Sequence, residues 1–208
     1  MVDMSVRPYR GVQAAERQAQ RRARLLSAGL DILGAASETA ELTVRGVCRR
    51  AGLAARYFYE SFSDKDDLIT AVFDSVTADI AATTQAAMAA APPSEETRAG
   101  MANIVRTIDG DPRIGRMLFG TARVNTTLVR KRADSEALFA MLSGQYVGSV
   151  LNVDENERIK ATAHFVVGGV AQTLSSWLSG VVTLSSEELV AQLASVLDKL
   201  RDPALYRS

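Results

Sequence analysis

Apolar side chains recur at intervals of three and four along almost the whole chain, and no stretch alternates convincingly with the two-residue period of a strand. The spacing predicts an all-α protein. Leu25, Leu26, Ala28, Leu30 and Leu33 mark a first amphipathic helix. Val44, Val47 and Cys48 give one apolar face to a short second helix, which Thr43 is placed to cap through its hydroxyl. Ala51-Gly52-Leu53 reads as a turn, because the alanine lets two helices approach, Gly52 accepts a positive φ and Leu53 anchors the turn in the core. A third short helix is predicted over residues 54–61. There Phe58 and Phe62 share the buried face, while Arg56 and Tyr59 share another.

Ser63, with Asp66 three residues on, is predicted to cap a long helix built on Leu68, Val72, Phe73, Val76 and Ile80 and ending near residue 91. Pro92-Pro93 stops it, and Ser94 is placed to cap the next, ending near residue 107. Asp111 caps and Pro112 opens a short helix through Met117 and Phe119. A further helix over residues 124–151 takes Leu128, Leu138, Leu142 and Tyr146 as its inner face. After a linker at residues 152–156, Asp154 with Glu157 forms an acidic variant of the capping box, and Ser185 with Glu188 forms the usual one.

The last two predicted helices are the most apolar. Over residues 155–180, Ala163, Val166, Val170, Leu174, Trp177 and Leu178 form a stripe, and the other faces carry small or apolar residues, including Phe165, Gly168, Gly169, Ser175 and Ser176. Such a helix is expected to be buried on more than one side. Leu189, Leu193, Val196, Leu197 and Leu200 form a second stripe over residues 186–200. Two such helices can face their symmetry mates in a four-helix bundle, which makes Val166, Val170, Leu174, Trp177, Leu189, Leu193 and Val196 candidate dimer residues. An intramolecular core is the alternative for the same pattern.

Charge sharpens the picture at the other end. The net charge of zero conceals an asymmetry: residues 1–65 carry 11 Lys and Arg against 7 Asp and Glu, and residues 66–208 carry 13 against 17. The basic part contains the two short helices and their turn, the arrangement a helix-turn-helix DNA reader requires. Arg56 can pair with guanine or bind phosphate, and the Tyr59 hydroxyl can donate to a phosphate. Lys65, at a helix N-terminus, adds its charge to free backbone N–H groups that suit a phosphate. Arg7, Arg10, Arg17, Arg21, Arg22 and Arg24 make residues 1–20 and the helix beyond them a candidate basic arm. Ordinary solvating charge is the alternative.

Thr43, Val44, Val47, Ala51, Gly52, Leu53, Phe58, Tyr59, Phe62, Lys65 and Leu68, preceded by Arg22, Leu25, Leu26, Ala28, Leu30 and Leu33, resemble the DNA-binding domain of the TetR (tetracycline-repressor-like) family. The match covers residues 22–68. The resemblance implies an N-terminal three-helix helix-turn-helix domain at residues 21–66, behind a basic arm at 1–20, and a larger helical effector-binding and dimerisation domain at 67–208. It implies a homodimeric regulator of double-stranded DNA, most simply a repressor, with a near-palindromic operator and a small, largely apolar effector. Arg45, Ala55, Arg56 and Tyr57 would then face base edges, with Val44 beside them, and Thr43, Tyr59 and Lys65 would hold phosphates. Three positions depart from the family pattern. Ala54 stands where a Ser or Thr usually caps the recognition helix, which costs about 0.5–2 kcal/mol. Glu60 and Ser61 replace aromatic or His residues, and Cys48 replaces Ala. A ligand-binding or protein-interaction module of the same fold that does not read DNA remains the alternative.

Met101, Ile104, Met117, Phe119, Phe139, Tyr146 and His164 are candidates for an apolar effector pocket, and each can equally be plain core. His164, the only histidine, lacks companions for a metal site, and no cofactor is expected. There is no G-x-S-x-G, GxxxxGK[ST] or HExxH, so no enzyme chemistry is expected. One cysteine excludes an internal disulfide and fits a reducing cytoplasm. The first 24 residues are polar and basic rather than a signal peptide, and no apolar run reaches the ~18 residues of a membrane span.

Overall fold

The computed structural model describes residues 9–36, 42–120, 125–152, 154 and 156–206. Among them the chain forms α1 (Tyr9–Leu33), α2 (Val44–Ala51), α3 (Ala55–Tyr59), α4 (Lys65–Ala89), α5 (Glu96–Gly110), α6 (Pro112–Phe119), α7 (Thr126–Leu151), α8 (Glu157–Leu178) and α9 (Ser186–Lys199), a 3-10 turn at Pro203–Leu205, and no strand. The fold is all-α, an N-terminal helix-turn-helix followed by a larger helical body. Residues 9–20, expected as an arm, are helical and continuous with the rest of α1. Arg7 lies outside the described residues.

Side-chain caps set most helix starts. The Thr43 hydroxyl accepts from Gly46 N at 3.1 Å, and Gly52 closes α2 at φ 64°, a left-handed conformation that glycine adopts without strain. Asp111 caps α6 with Pro112 in the first turn, and Ser185 and Glu188 cap α9 reciprocally. Three expected caps move. Asp64, not Ser63, caps α4, accepting from Asp66 N and Asp67 N at 2.8 Å each, because its carboxylate outcompetes the neighbouring hydroxyl. Ser63 instead donates through its N–H and hydroxyl to Asp67. Glu95 rather than Ser94 precedes α5, without a side-chain cap bond. Asn156 rather than Asp154 caps α8, accepting from Arg158 N and Ile159 N.

Two apolar clusters hold the helices. The first joins Leu25, Val47, Phe58, Phe62, Leu68, Ile69, Val72 and Phe73 of the N-terminal helices to Met117 of α6 and Leu128 of α7. Each such large apolar side chain contributes about 1.5–3 kcal/mol on burial. The expected division between residues 66 and 67 therefore falls in the first turn of α4 and is not a gap in the packing. The second cluster joins Val105 and Ile108 of α5 to Leu174 of α8 and to Leu189, Val190 and Leu193 of α9, with Val170 and Trp177 packed against it. That corrects the expected dimer stripe: Leu174, Leu189 and Leu193 belong to this cluster within the protomer, and Val170 and Trp177 pack against it. Helical spacing shows that a face is buried and not which helix buries it.

The face that α8 turns outward carries Ala161, His164, Phe165, Gly168, Gly169 and Gln172, with Phe165 69% exposed. A Cβ at Gly168 or Gly169 would meet nothing within 4 Å. On α9 the outward face carries Glu188, Ala191, Gln192, Ser195 and Val196. The inner face of α7 differs too. Leu138, Leu142 and Tyr146 are exposed, whereas Leu128, Ala140 and Gly144 are buried, the last with Ile159 and Ala163 of α8 close by.

Helix α6 ties the body to the N-terminal helices. A Cβ on Gly34, just after α1, would stand 2.3 Å from the Arg113 carbonyl oxygen. A Cβ on Gly115 would stand 2.5 Å from Ile108 Cγ2 and 2.7 Å from Leu178 Cδ1. Two glycines thus let α6 lie in contact with α1, α5 and α8. Asp31 of α1 accepts from Arg50 Nε of α2 at 2.6 Å and from Arg113 Nη1 of α6, and Arg113 also forks onto Asp111 at 2.8 and 2.6 Å. Arg116 Nε donates to Gly34 O at 2.6 Å. At the other end of α6, Arg132 of α7 donates to Met117 O, Gly120 O and Arg116 O at 2.6–3.1 Å. Among the described residues Met117 O and Gly120 O receive no backbone N–H, whereas Arg116 O also accepts from Gly120 N.

Candidate nucleic-acid interface

The surface begins with a helix too short to stand alone. α3 has five residues, and its Ala54 cap makes no side-chain bond, so its own hydrogen bonds cannot repay nucleation. Packing holds it instead. Phe58 is fully buried, its ring centroid 5.7 Å from that of Phe62 and 5.4 Å from that of Tyr59, edge-on to the latter. With Phe58 inward, the opposite side of the segment presents Ala54, Ala55, Arg56, Tyr59 and Glu60 to solvent, and Tyr59 is 62% exposed.

The residues singled out from the sequence fall into three groups. Arg45, Ala55, Arg56 and Tyr59 are exposed on α2 and α3. Thr43 is exposed and its oxygen is engaged in capping, which leaves its O–H as a donor, and Lys65 is half-buried as the first residue of α4. Val44 and Tyr57 depart from the expectation. Val44 packs against the first apolar cluster. The Tyr57 ring is half-buried with two guanidiniums over it, those of Arg21 and Arg56, each 4.5 Å from its centroid, and Arg56 Nη2 donates to the Tyr57 hydroxyl at 2.5 Å.

The α1 arginines, expected as an arm, point to the helix-turn-helix itself. Arg24 Nη2 donates to Ala51 O at 2.6 Å, Arg22 Nη1 donates to Ser61 O at 3.0 Å, and Arg21 Nη2 lies 3.4 Å from Glu60 Oε2. Glu60 therefore has an internal counter-ion. Asp31, its carboxyl held below the usual carboxylate range chiefly by the hydrogen bond from Arg50, was missed by sequence reasoning, since its partners lie 19 and 82 residues away. Cys48 is buried, and burial pushes its thiol pKa up, away from a reactive thiolate.

The seven candidate effector residues do not converge. Met117 belongs to the first cluster, while Met101, Ile104 and Phe119 pack against the second. Phe139 is half-buried on α7, Tyr146 donates its hydroxyl to Glu96 at 2.7 Å on the surface, and His164 is exposed on the outward face of α8. An open groove of about 290 Å³ between α5 and α9 is lined by other residues, among them Arg98, Ala102, Arg106, Asp109 and Val190. Among the described residues no group of three or more His, Cys, Asp or Glu could hold a metal ion, and no described helix is long and apolar enough to cross a membrane.

No family profile and no curated protein matches the sequence. Solved structures do. A TetR-family transcriptional regulator from Streptomyces coelicolor superposes with a TM-score of 0.64 over 91% of this chain and 88% of that one, at 19% identity. The chain has the TetR-family fold. The same TetR-like arrangement extends to the fatty acid degradation regulator FadR of Bacillus halodurans, with a TM-score of 0.70 at 13% identity over 85% of this chain and 94% of that one. It extends also to FadR of Bacillus subtilis in complex with stearoyl-CoA, with a TM-score of 0.63 at 14% identity over 84% of this chain and 96% of that one.

Proposed function

We propose that this chain is a homodimeric, sequence-specific DNA-binding transcriptional regulator acting in the cytoplasm, a repressor released by a small, largely apolar effector. The observation that carries the reading is the short third helix, with Phe58 buried behind it and Arg56 and Tyr59 exposed in front, beside exposed Arg45 on α2. In this proposal Arg45, Ala55 and Arg56 read base edges, Tyr57 supports Arg56 from behind, and Thr43, Tyr59 and Lys65 hold phosphates.

The outward faces of α8 and α9 meet their copies in a second protomer. Phe165 and the open Gly168-Gly169 step support this, because a large exposed ring beside an open glycine pair suits close helix approach. Two recognition helices about 34–36 Å apart then require a near-palindromic operator. An effector with a long apolar part is supported by the stearoyl-CoA in the complex of the Bacillus subtilis protein, whose acyl chain is apolar although its coenzyme A part is charged. Its binding in the helical body favours a conformation in which α4 tilts and the two recognition helices lose register.

Selection of sites from a random double-stranded DNA pool at about 150 mM salt tests the reading, because nonspecific phosphate binding is weak there. Enrichment of a two-fold symmetric motif supports it. A folded dimer that enriches nothing, with and without fatty acyl-CoA, sinks it and leaves a module that does not read DNA.

A further inference from the structure

Arg21, Glu60, Tyr57 and Arg56 form one connected set that phosphate binding does not explain, and two more α1 arginines anchor the turns on either side of α3. Arg24 holds the carbonyl of the last residue of α2 and occupies the space beside Gly52, where a Cβ would stand 2.9 Å from its Nη2. Arg22 holds the Ser61 carbonyl just beyond α3, and its guanidinium lies 4.4 Å from the Phe62 ring centroid. Arg21 reaches between these anchors to α3 itself, pairing with Glu60 and lying over the Tyr57 ring. Tyr57 and Glu60 are three residues apart and share one face of that turn, so one guanidinium can engage both.

The Tyr57 ring thus carries two cations with different anchorage. Arg21 has a carboxylate counter-ion in Glu60. Arg56 is bound there through the ring and the Tyr57 hydroxyl. The acid that stands in the α3 segment as an apparent repellent of phosphate pairs with the α1 arginine and bears electrostatically on Arg56 as well, whose exposed guanidinium is held beside the ring.

We infer that Arg21 is a positioning residue: with Glu60 it fixes the Tyr57 ring, and through that ring the direction of Arg56, without itself touching DNA. Its functional half rests on the DNA-reading proposal; its structural half does not. A planar guanidinium can stack on an aromatic ring and reach a carboxylate together, which an ammonium does poorly, whereas either cation can neutralise a phosphate.

The test compares full-length Arg21→Lys, Arg21→Gln, Glu60→Gln and Lys65→Gln with the parent chain on the selected operator, measuring affinity across a salt series and repeating the pool selection. Arg21→Lys and Arg21→Gln are both expected to weaken operator binding roughly fivefold, the order of one exposed stacking contact and ion pair. They broaden the motif at the base pairs that Arg56 reads and leave the salt slope unchanged. Lys65→Gln lowers the magnitude of that slope by about 0.9, the mark of one phosphate contact. Glu60→Gln reproduces the Arg21 phenotype, and the double variant Arg21→Gln with Glu60→Gln adds nothing further. A slope lowered by one contact in Arg21→Gln and retained in Arg21→Lys would overturn the inference and make Arg21 a phosphate ligand. Amide hydrogen exchange of residues 55–60 in the DNA-free chain supplies the second readout. Faster exchange in Arg21→Gln supports positioning even if the parent selects no motif, which would sink the DNA reading alone, and unchanged exchange overturns it.

Discussion

Arg132 offers the most direct test of how α6 is held. Replacing it with methionine keeps an unbranched side chain in the pocket and deletes every donor. Arg116 O still accepts from Gly120 N at 2.9 Å, so among the described residues the carbonyls left without a donor are Met117 O and Gly120 O. A buried acceptor left unpaired costs about 1–3 kcal/mol. Loss of a cation at a helix C-terminus adds roughly 0.3–1 kcal/mol. Against this, Arg132 is desolvated in the fold, which lowers its pKa and is relieved in the variant. The balance is a loss of about 2–4 kcal/mol. For a chain of this size each kcal/mol lowers Tm by about 2–4 °C, so the melting point should fall by roughly 4–16 °C. Urea unfolding followed by far-ultraviolet circular dichroism, at one fixed protein concentration to exclude mass-action effects, measures it. Arg130→Met, at an exposed position on the same helix, should change stability by less than about 0.5 kcal/mol. Equal losses for the two variants, or a loss under about 1 kcal/mol at Arg132, would refute the reasoning.

Three further outcomes follow from the same framework. Gly34→Ala should destabilise the chain by about 1–3 kcal/mol, because its methyl would meet the backbone of Arg113 rather than a side chain able to move aside; an unchanged melting point would contradict this. Asp31 has a lowered folded-state pKa, caused first by the Arg50 hydrogen bond, so its stabilisation is fully present above the unfolded value of about 3.9 and is lost as pH falls through the folded value. The stability gap between the parent and Asp31→Asn should therefore narrow on acidification below about pH 4, and a gap independent of pH would rule the linkage out. Phe165→Glu should leave helicity intact and shift the proposed dimer to monomer in analytical ultracentrifugation, whereas an unaltered dimer would remove the outward face of α8 from the interface.

Short-range signals carried much of the architecture. Thr43, Gly52, Asp111-Pro112 and Ser185 with Glu188 each act within four residues, and the structure places each where the spacing expects it. Ser63 and Asp64 show the limit of that resolution: adjacent acceptors compete for the same amides, and pattern alone does not rank them. Choice of partner is the larger limit. Leu138 and Leu142 have helical spacing and are exposed, while Leu174 and Leu189 also have helical spacing and are buried together in the second cluster. At the candidate interface, the exposure of Arg56 and Tyr59 was legible from the burial of Phe58 and Phe62 four residues apart. The contacts of Arg21, Arg22 and Arg24 were not, because composition alone makes any arginine beside a helix-turn-helix look like a phosphate ligand. The Asp31–Arg113 contact joins residues 82 apart and leaves no local trace.

On the proposed reading, a DNA-facing helix clamped from behind has a consequence for how readily its target can be changed. Residues 54–56 are exposed and contribute nothing to the apolar clusters, while Phe58, Phe62 and the α1 arginines hold the segment from the other side. Substitutions at Ala55 and Arg56 therefore remove no core packing, and Ser or Thr at Ala54 would add the missing cap, so most members of a library randomised at these positions should be folded. If α3 reads DNA as proposed, new operator preferences can accumulate in single steps without passing through unstable intermediates, which makes this short helix the place to retarget the protein.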